Sequence, residues 1–334
     1  MSEAARQPDV RPHARVDSLR AVVLSYGSGG KHGPLLASLL AEGLPAERIL
    51  VVHNPALPGE PDPVLPAGVE LLRNSHNLGY AAGMNRGIER QLERGCDLVL
   101  LLTHDARLRP GALAALLEAA TAHPEFGLLG PALVFAGSER PFSFGGLDRG
   151  AGRMAHRREL PEAQDGIATC DWIDGGTMLV RAATLERVGR LDESLWSYYE
   201  EAELCLRARR GGFGVGVVLT AVADQAPGGL GRPAAWSYLM TRNGIAYASR
   251  ADGSGGLLLA SARAAFEALL ELARVLARGL RLRRGSPTEP WALCVGTARG
   301  LLDFHRRRWG PPPTLPGPGD VSNVAPPDDG DRGG

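Results

Sequence analysis

Asp97-Leu-Val-Leu-Leu-Leu-Thr-His-Asp105 is the stretch on which the fold turns. Five apolar residues in an unbroken row, too few for a helix, mark a strand buried on both faces. Working outward, Arg20-Ala-Val-Val-Leu-Ser-Tyr26 is a second such run, closed by the turn Gly27-Ser-Gly-Gly30. Residues 48–52 and 69–73 are two shorter ones, and 127–135 is strand-like. Helical spacing fills the gaps at 34–42, with Pro34 in the first turn, and at 80–94 and 110–122. This alternation predicts an α/β fold: a doubly wound, mostly parallel sheet with helices on both faces.

In such sheets ligands bind beyond the carboxyl ends of the strands. The polar residues that close the runs are therefore the functional candidates: Ser25, Tyr26, His53, Asn54, Thr103 and Asp105. Asp105 stands first among them. A carboxylate at the end of so apolar a strand needs a partner, and a divalent cation completed by nucleotide phosphates is one. An ordinary turn aspartate capping the next loop is the plainer alternative. Tyr199-Glu-Glu-Ala-Glu203 opens a second candidate, a helix over about 199–210. Acids in a first turn suit the helix dipole, so a solvated acidic end is the plain reading and a general base the sharper one. Glu200 and Glu203 would share a face, with Glu201 pointing elsewhere. Asn77-Leu-Gly-Tyr-Ala-Ala-Gly-Met-Asn-Arg-Gly87 is a third. Its glycines suit either close approach to a phosphate or close helix–sheet packing, and it matches neither GxGxxG nor a P-loop.

Composition excludes several classes. Lys+Arg and Asp+Glu are both 37, so a neutral chain makes nucleic acid a poor partner. The four cysteines form no CxxC pair, which argues against a structural zinc or a disulfide framework and for a reducing compartment. The opening residues lack an apolar signal core, and no uncharged run is long enough to span a bilayer. After about residue 136 the alternation fades into Gly- and Arg-rich loops, then into a helical region. The division expected is a disordered lead-in (1–19), a catalytic domain (20–250), a helical extension (251–310) and a disordered Pro/Gly/Asp tail (311–334). Within the extension, 257–284 has an amphipathic pattern ending in four arginines. It reads as a helix packed on the domain, or as a peripheral membrane contact.

Four stretches, in this order, resemble family 2 glycosyltransferases of GT-A fold, the bacterial rhamnosyltransferase-like branch in particular. They are the segment 73–87; Leu101-Leu-Thr-His-Asp105 with Leu108-Arg-Pro-Gly111; Trp172-Ile-Asp-Gly-Gly-Thr-Met-Leu-Val-Arg181 through Asp192; and Trp196-Ser-Tyr-Tyr-Glu-Glu-Ala-Glu-Leu-Cys-Leu-Arg207. They fall within about residues 20–250.

The resemblance implies a metal-dependent inverting transfer from a nucleotide-sugar donor to a glycan or lipid-linked acceptor, in cell-envelope polysaccharide synthesis at the cytoplasmic side of the membrane. Asp105 would bind Mg²⁺ or Mn²⁺ and Glu201 would be the general base. Ser25, Tyr26, Asn54, Asn77, Gly79, Asn85, Gly175, Gly176 and Glu200 would line the substrates. The sequence departs from the family at His53, where an acid normally helps hold the nucleotide base, at Thr103, and in its three glutamates for the usual acids. It departs again at Asp224 and Gln225, where a metal-binding His is usual; Asp224 is the candidate substitute ligand. These departures leave room for a degenerate enzyme that binds a nucleotide sugar as a scaffold. Gly27-Ser-Gly-Gly-Lys31, a faint version of the Gly-rich basic loop that a nucleotidyltransferase carries after its first strand, leaves room for a sugar nucleotidyltransferase.

Overall fold

The computed structural model describes residues 18–27, 32–226, 233–279 and 288–314. The lead-in up to residue 17, the glycine turn at 28–31, the arginines at 281–284 and the tail from 315 lie outside the described residues. Two compact units divide the chain. One is built from residues up to 148, 155–193 and 200–226; the other from 149–154, 194–199 and 227 onward.

The first unit opens with the expected strand–helix alternation: β1 (Leu19–Tyr26), α1 (His32–Ala41), β2 (Ile49–Asn54), β3 (Glu70–Arg73), α2 (Gly79–Leu92) and β4 (Leu98–Thr103). β4, β1, β2 and β3 lie side by side in that order, all parallel. The apolar runs earn this place because both faces are covered. Leu98, Val99, Leu100, Leu101 and Leu102 are wholly buried, and each such side chain stabilises the fold by about 1.5–3 kcal/mol.

Then come β5 (Ala106–Leu108), α3 (Ala112–Ala122), β6 (Phe126–Phe135), β7 (Pro141–Ser143), β8 (Gly146–Asp148), β9 (Met154–His156), β10 (Ile167–Thr169), β11 (Thr177–Arg181), α4 (Ala182–Val188), α5 (Glu200–Arg210) and β12 (Gly214–Gln225). The sheet reaches ten strands and is mixed. β11 enters antiparallel between β4 and β6, so that Thr177 lies opposite Leu102 and Gly176 beside Thr103. β12 runs parallel to β6, slips register between Val218 and Val222, and ends antiparallel to β5. That slip brings Asp224 and Gln225 alongside Arg107 and Ala106, next to Asp105.

α2 rests directly on β1. A Cβ on Gly87 would come within 2.2 Å of Val22 Cγ1, and one on Gly83 within 2.6 Å of Leu24 Cδ1. The glycines of this segment therefore serve close helix–sheet packing. Arg181 is buried at the end of β11. Its guanidinium donates to the carbonyls of Phe126 (2.8 Å), His123 (3.4 Å) and Ala120, holding the last turn of α3.

The second unit is dominated by α6 (Pro233–Gly279), broken at Gly253 where φ is 64°, and α7 (Thr288–His305). Alanines 248, 260 and 264 and Ile245 are buried between them. The outer side of α6 beyond the break is apolar and open. Leu258, Leu259, Phe266, Leu269 and Leu276 are each more than half exposed. No described helix is long and apolar enough to cross a membrane.

Candidate active site

The carboxyl ends of β1, β4 and β12, the glycine pair before β11 and the start of α5 meet in the first unit. Asp105 closes the loop from β4 to β5. Its backbone carbonyl accepts from Ala226 N (3.0 Å), which ties it to the end of β12. The glycine pair comes next. The carbonyl of Gly176 accepts from Thr103 N at 3.1 Å, and that of Gly175 accepts from the Tyr80 hydroxyl at 2.6 Å. A Cβ on Gly175 would stand 3.0 Å from Tyr80 Oη and 3.6 Å from Glu201 Cβ. One on Gly176 would come within 2.4 Å of Gln225 Oε1. A larger residue at either position would displace one of these side chains.

The electrostatics of the cluster follow from crowded acids. Burial raises the Tyr80 hydroxyl well above its usual pKa, and Glu200, Glu201 and Asp105 add to the rise in that order. One phenol thus feels all three carboxylates. Glu200 is almost fully buried, and its Oε2 has no hydrogen-bond partner. Burial first, then repulsion from Glu201, pushes its carboxyl well above the usual range. Glu201 keeps part of its surface open. Its carboxyl is raised to about 7, chiefly by the protein packed around it, with Asp174 adding repulsion and backbone hydrogen bonds offsetting part of the rise. A base with that affinity changes protonation near neutral pH, where general-base catalysis is most effective. Glu203 is engaged elsewhere, in a two-point pair with Arg207 (2.7 and 3.0 Å), so the three acids of this helix do separate jobs.

Oxygen ligands suit Mg²⁺ or Mn²⁺. Among the described residues no group of three His, Cys, Asp or Glu side chains could hold a metal ion alone. Asp224 Oδ1 is taken by Arg109 Nε at 2.9 Å, in a pair that raises the arginine's affinity for its proton. What stands beside Asp105 is Gln225, whose buried Oε1 lacks a hydrogen-bond partner. One carboxylate and one unpartnered amide oxygen belong to the oxygen class of ligand that Mg²⁺ and Mn²⁺ take.

The remaining sequence candidates hold the frame of the cleft. Asn54 is buried; its Nδ2 donates to Gly79 O (2.9 Å), and its Oδ1 accepts from Asn74 Nδ2 (2.8 Å) and Leu78 N (3.3 Å). Asn77 Oδ1 accepts from Gly79 N at 2.9 Å, which sets the start of α2, with Gly79 itself at φ 83°. Asn85 clamps the far loop: Nδ2 donates to Leu191 O (2.8 Å) and Glu193 Oε1 (2.9 Å), and Oδ1 accepts from Leu191 N (3.1 Å). Ser25 is buried opposite His53, while Tyr26, opposite Asn54, is half exposed. His53 is wholly buried with neither ring nitrogen partnered, and burial, with Arg73 and His32 adding, lowers its pKa. Tyr80, Asp174 and Asn74 were not singled out by sequence reasoning. Tyr80 and Asp174 lie inside motifs that were read, but nothing in a linear pattern says which motif residue faces another.

No family model matches the chain. Among characterised proteins it is 29% identical over 224 residues to the N-acetylglucosaminyl-diphospho-decaprenol L-rhamnosyltransferase of Mycobacterium tuberculosis, which covers 59% of this chain and 72% of that protein. It is 28% identical over 155 residues to the low-salt glycan biosynthesis hexosyltransferase Agl10 of Haloferax volcanii, covering 44% of this chain and 48% of that one. The fold is similar to the crystal structure of GalNAc-T7 with UDP, GalNAc and Mn²⁺, with a TM-score of 0.51 at 12% identity, over 73% of this chain and 52% of that one. The chain thus spans about half the length of the last two. Sequence likeness to two sugar transferases, on a sheet similar to that of a GT-A enzyme, makes the chain a glycosyltransferase of GT-A fold that is similar to the rhamnosyltransferases.

Proposed function

We propose that the chain is an inverting glycosyltransferase that moves a hexose or deoxyhexose, L-rhamnose first among them, from a nucleoside diphosphate to a hydroxyl of a diphospholipid-linked sugar. One observation supports this above the others: the glycine pair before β11 touches both sides of the site, a Cβ on Gly175 standing 3.6 Å from Glu201 Cβ while Gly176 O accepts from Thr103 N at 3.1 Å, two residues before Asp105. The names of the relatives supply the choice of sugar and acceptor.

In this reading Asp105 and Gln225 would hold Mg²⁺ or Mn²⁺. When bound, the cation stabilises the charge on the departing diphosphate. Glu201 takes the proton of the acceptor hydroxyl. The hydroxyl oxygen forms the new bond at the anomeric carbon as the bond to the diphosphate breaks, and the diphosphate leaves with the electron pair. Glu200, buried beside Glu201, raises the affinity of the pair for that proton. Tyr80 fixes Gly175 and so the floor beneath the reacting sugar. Asp224 keeps Arg109 in place. Ser25, Tyr26 and His53, at the ends of β1 and β2, face the nucleoside.

The work is assigned to the inner face of the cell membrane. The exposed apolar side of α6 would rest on lipid, and Arg278 at its end with the arginines at 281, 283 and 284 that follow it in sequence suit anionic headgroups.

The test is calorimetric titration with UDP and dTDP, each with Mn²⁺ and with EDTA, repeated on Asp105→Ala, followed by transfer from dTDP-rhamnose to a short-chain polyprenyl diphospho-N-acetylglucosamine. Metal-dependent binding that vanishes in the variant, with transfer by the wild type, is the expected result. Nucleotide binding without transfer to any offered acceptor would favour a scaffold, and binding indifferent to metal would remove Asp105 from its role.

A further inference from the structure

The turn that leads into α5 is built against the preferences of its residues. Trp196, Tyr198 and Tyr199 have φ of 66°, 68° and 72°, the left-handed region that bulky side chains avoid. The residue after Tyr199 is Glu200, and the next is Glu201. Such a turn persists only where its surroundings impose it.

What imposes it is a pair of consecutive residues on α6. Asn243, fully buried, directs its Nδ2 at three carbonyls of the turn: Leu195 (2.9 Å), Ser197 (2.9 Å) and Tyr198 (2.8 Å). Its Oδ1 accepts from Arg242 Nε at 2.9 Å, which fixes the amide with the nitrogen facing the turn. Arg242, also fully buried, donates through Nη2 to Leu195 O (3.0 Å) and Ser194 O (3.5 Å), and through Nη1 to Gly310 O (2.8 Å). Tyr238 and Trp309 stand against its guanidinium. Tyr199 is fastened separately, its hydroxyl donating to Gly152 O at 2.6 Å. A guanidinium and a carboxamide, both out of water, thus direct their donors at one short turn of backbone. Buried polar groups of this kind fix one conformation where apolar packing would allow several.

We infer that Arg242 and Asn243 are positioning residues for the transfer reaction: they hold the left-handed turn whose exit sets where Glu200 and Glu201 begin. Neither touches substrate. They act through the backbone, and their removal lets the base drift from the acceptor hydroxyl while the nucleotide site keeps its own frame in β1, β2 and β4. The inference rests on the reading of Glu201 as the base.

The discriminating variant is Asn243→Asp, which keeps the oxygen that Arg242 binds and the size of the side chain but removes the donor to three carbonyls. Asn243→Ala is the second variant, in case the buried carboxylate disturbs folding. Expected are a kcat lowered by about 100-fold, the scale of a 1 Å misplacement, a dTDP affinity by calorimetry within about twofold of wild type, and faster hydrogen exchange at 195–201 with the amides of β4 unchanged. A kcat within about threefold of wild type, or an equal loss of nucleotide affinity with faster exchange throughout, would overturn it as mere structural support. A wild type that binds dTDP yet transfers nothing would remove the base reading and this inference with it; a wild type that transfers, with an equally active Asn243→Asp, would remove this inference alone.

Discussion

Gly176 and Gln225 are packed so closely that a single added carbon on the glycine would stand 2.4 Å from the amide oxygen of the glutamine. The contact lies one strand from Asp105 and leaves Oε1 buried with no hydrogen-bond partner. A buried carbonyl oxygen in that state is a defect in a core and an asset beside a cation.

Gly176→Ala separates those two roles. The atom in the way is the end of a flexible side chain, so the carboxamide swings aside and stability falls by only about 1 kcal/mol. Affinity for UDP or dTDP in Mn²⁺ falls by about tenfold, while affinity in EDTA is unchanged. Paired titrations read both numbers, and an equal loss with and without metal would assign the contact to packing alone.

The pH dependence of transfer has a defined sign. Glu201 must be unprotonated to accept a proton, and its carboxyl is raised to about 7. kcat/KM therefore falls on the acid side, by about tenfold per unit below neutrality. The apparent limb belongs to the Glu200–Glu201 pair. Removing the like charge that acts on Glu201, in Asp174→Asn, moves the limb toward lower pH, whereas Glu201→Gln lowers the rate by about 10²–10⁴-fold at every pH. The same raised group favours the folded state most below the ordinary glutamate range, a contribution lost as pH rises through 7. A limb that stays in place in Asp174→Asn would leave burial as the whole cause of the rise.

Arg181 closes one of the family-like stretches in sequence and acts as a cap in the structure. Arg181→Met keeps most of the volume and takes the guanidinium from the carbonyls of Ala120 and Phe126, while His123 O keeps Phe126 N at 3.2 Å. Urea unfolding should show a loss of about 3 kcal/mol, with nucleotide affinity unchanged. Reduced nucleotide affinity at equal stability would give Arg181 a part in the site instead.

The open side of α6 gives a binding test. Replacing Leu258, Leu259 and Leu269 by Ser removes apolar side chains that contact nothing across most of their surface, so the melting temperature holds or rises slightly. Sedimentation with vesicles of anionic phospholipid should lose most of the bound protein, and uncharged vesicles should bind the wild type weakly. Unchanged sedimentation would turn attention to a protein partner for this face.

The two halves of the sheet differ in how far they can be read from sequence. β1, β2 and β4 are legible because strands covered on both faces must be apolar throughout, and Leu98–Leu102 satisfies that rule. The GT-A likeness followed from motifs in the right order. β11 was hidden because five residues after a glycine pair give no hint of direction, and its antiparallel entry is set by its partners β4 and β6. At the site, Asp105 stood out as charge in an apolar setting and the acids of α5 as a cluster at a helix start, and the family likeness alone singled out Glu201 among them. The unpartnered oxygen of Gln225 did not stand out, because only three-dimensional packing reveals it. Asn54 and Asn85 carry family motifs, yet every polar end they own is turned to backbone or to a neighbouring side chain.

The turn ahead of Glu200 has one further consequence, in the order of synthesis. Ser194 O accepts from Gly310 N at 3.1 Å, and Arg242 donates to Gly310 O. A chain emerging from the ribosome folds from its N-terminal end. The sheet that carries Asp105 is therefore available to fold more than eighty residues before Gly310 is made. For that interval the sheet can be complete while the turn ahead of α5 still lacks its contacts with Gly310.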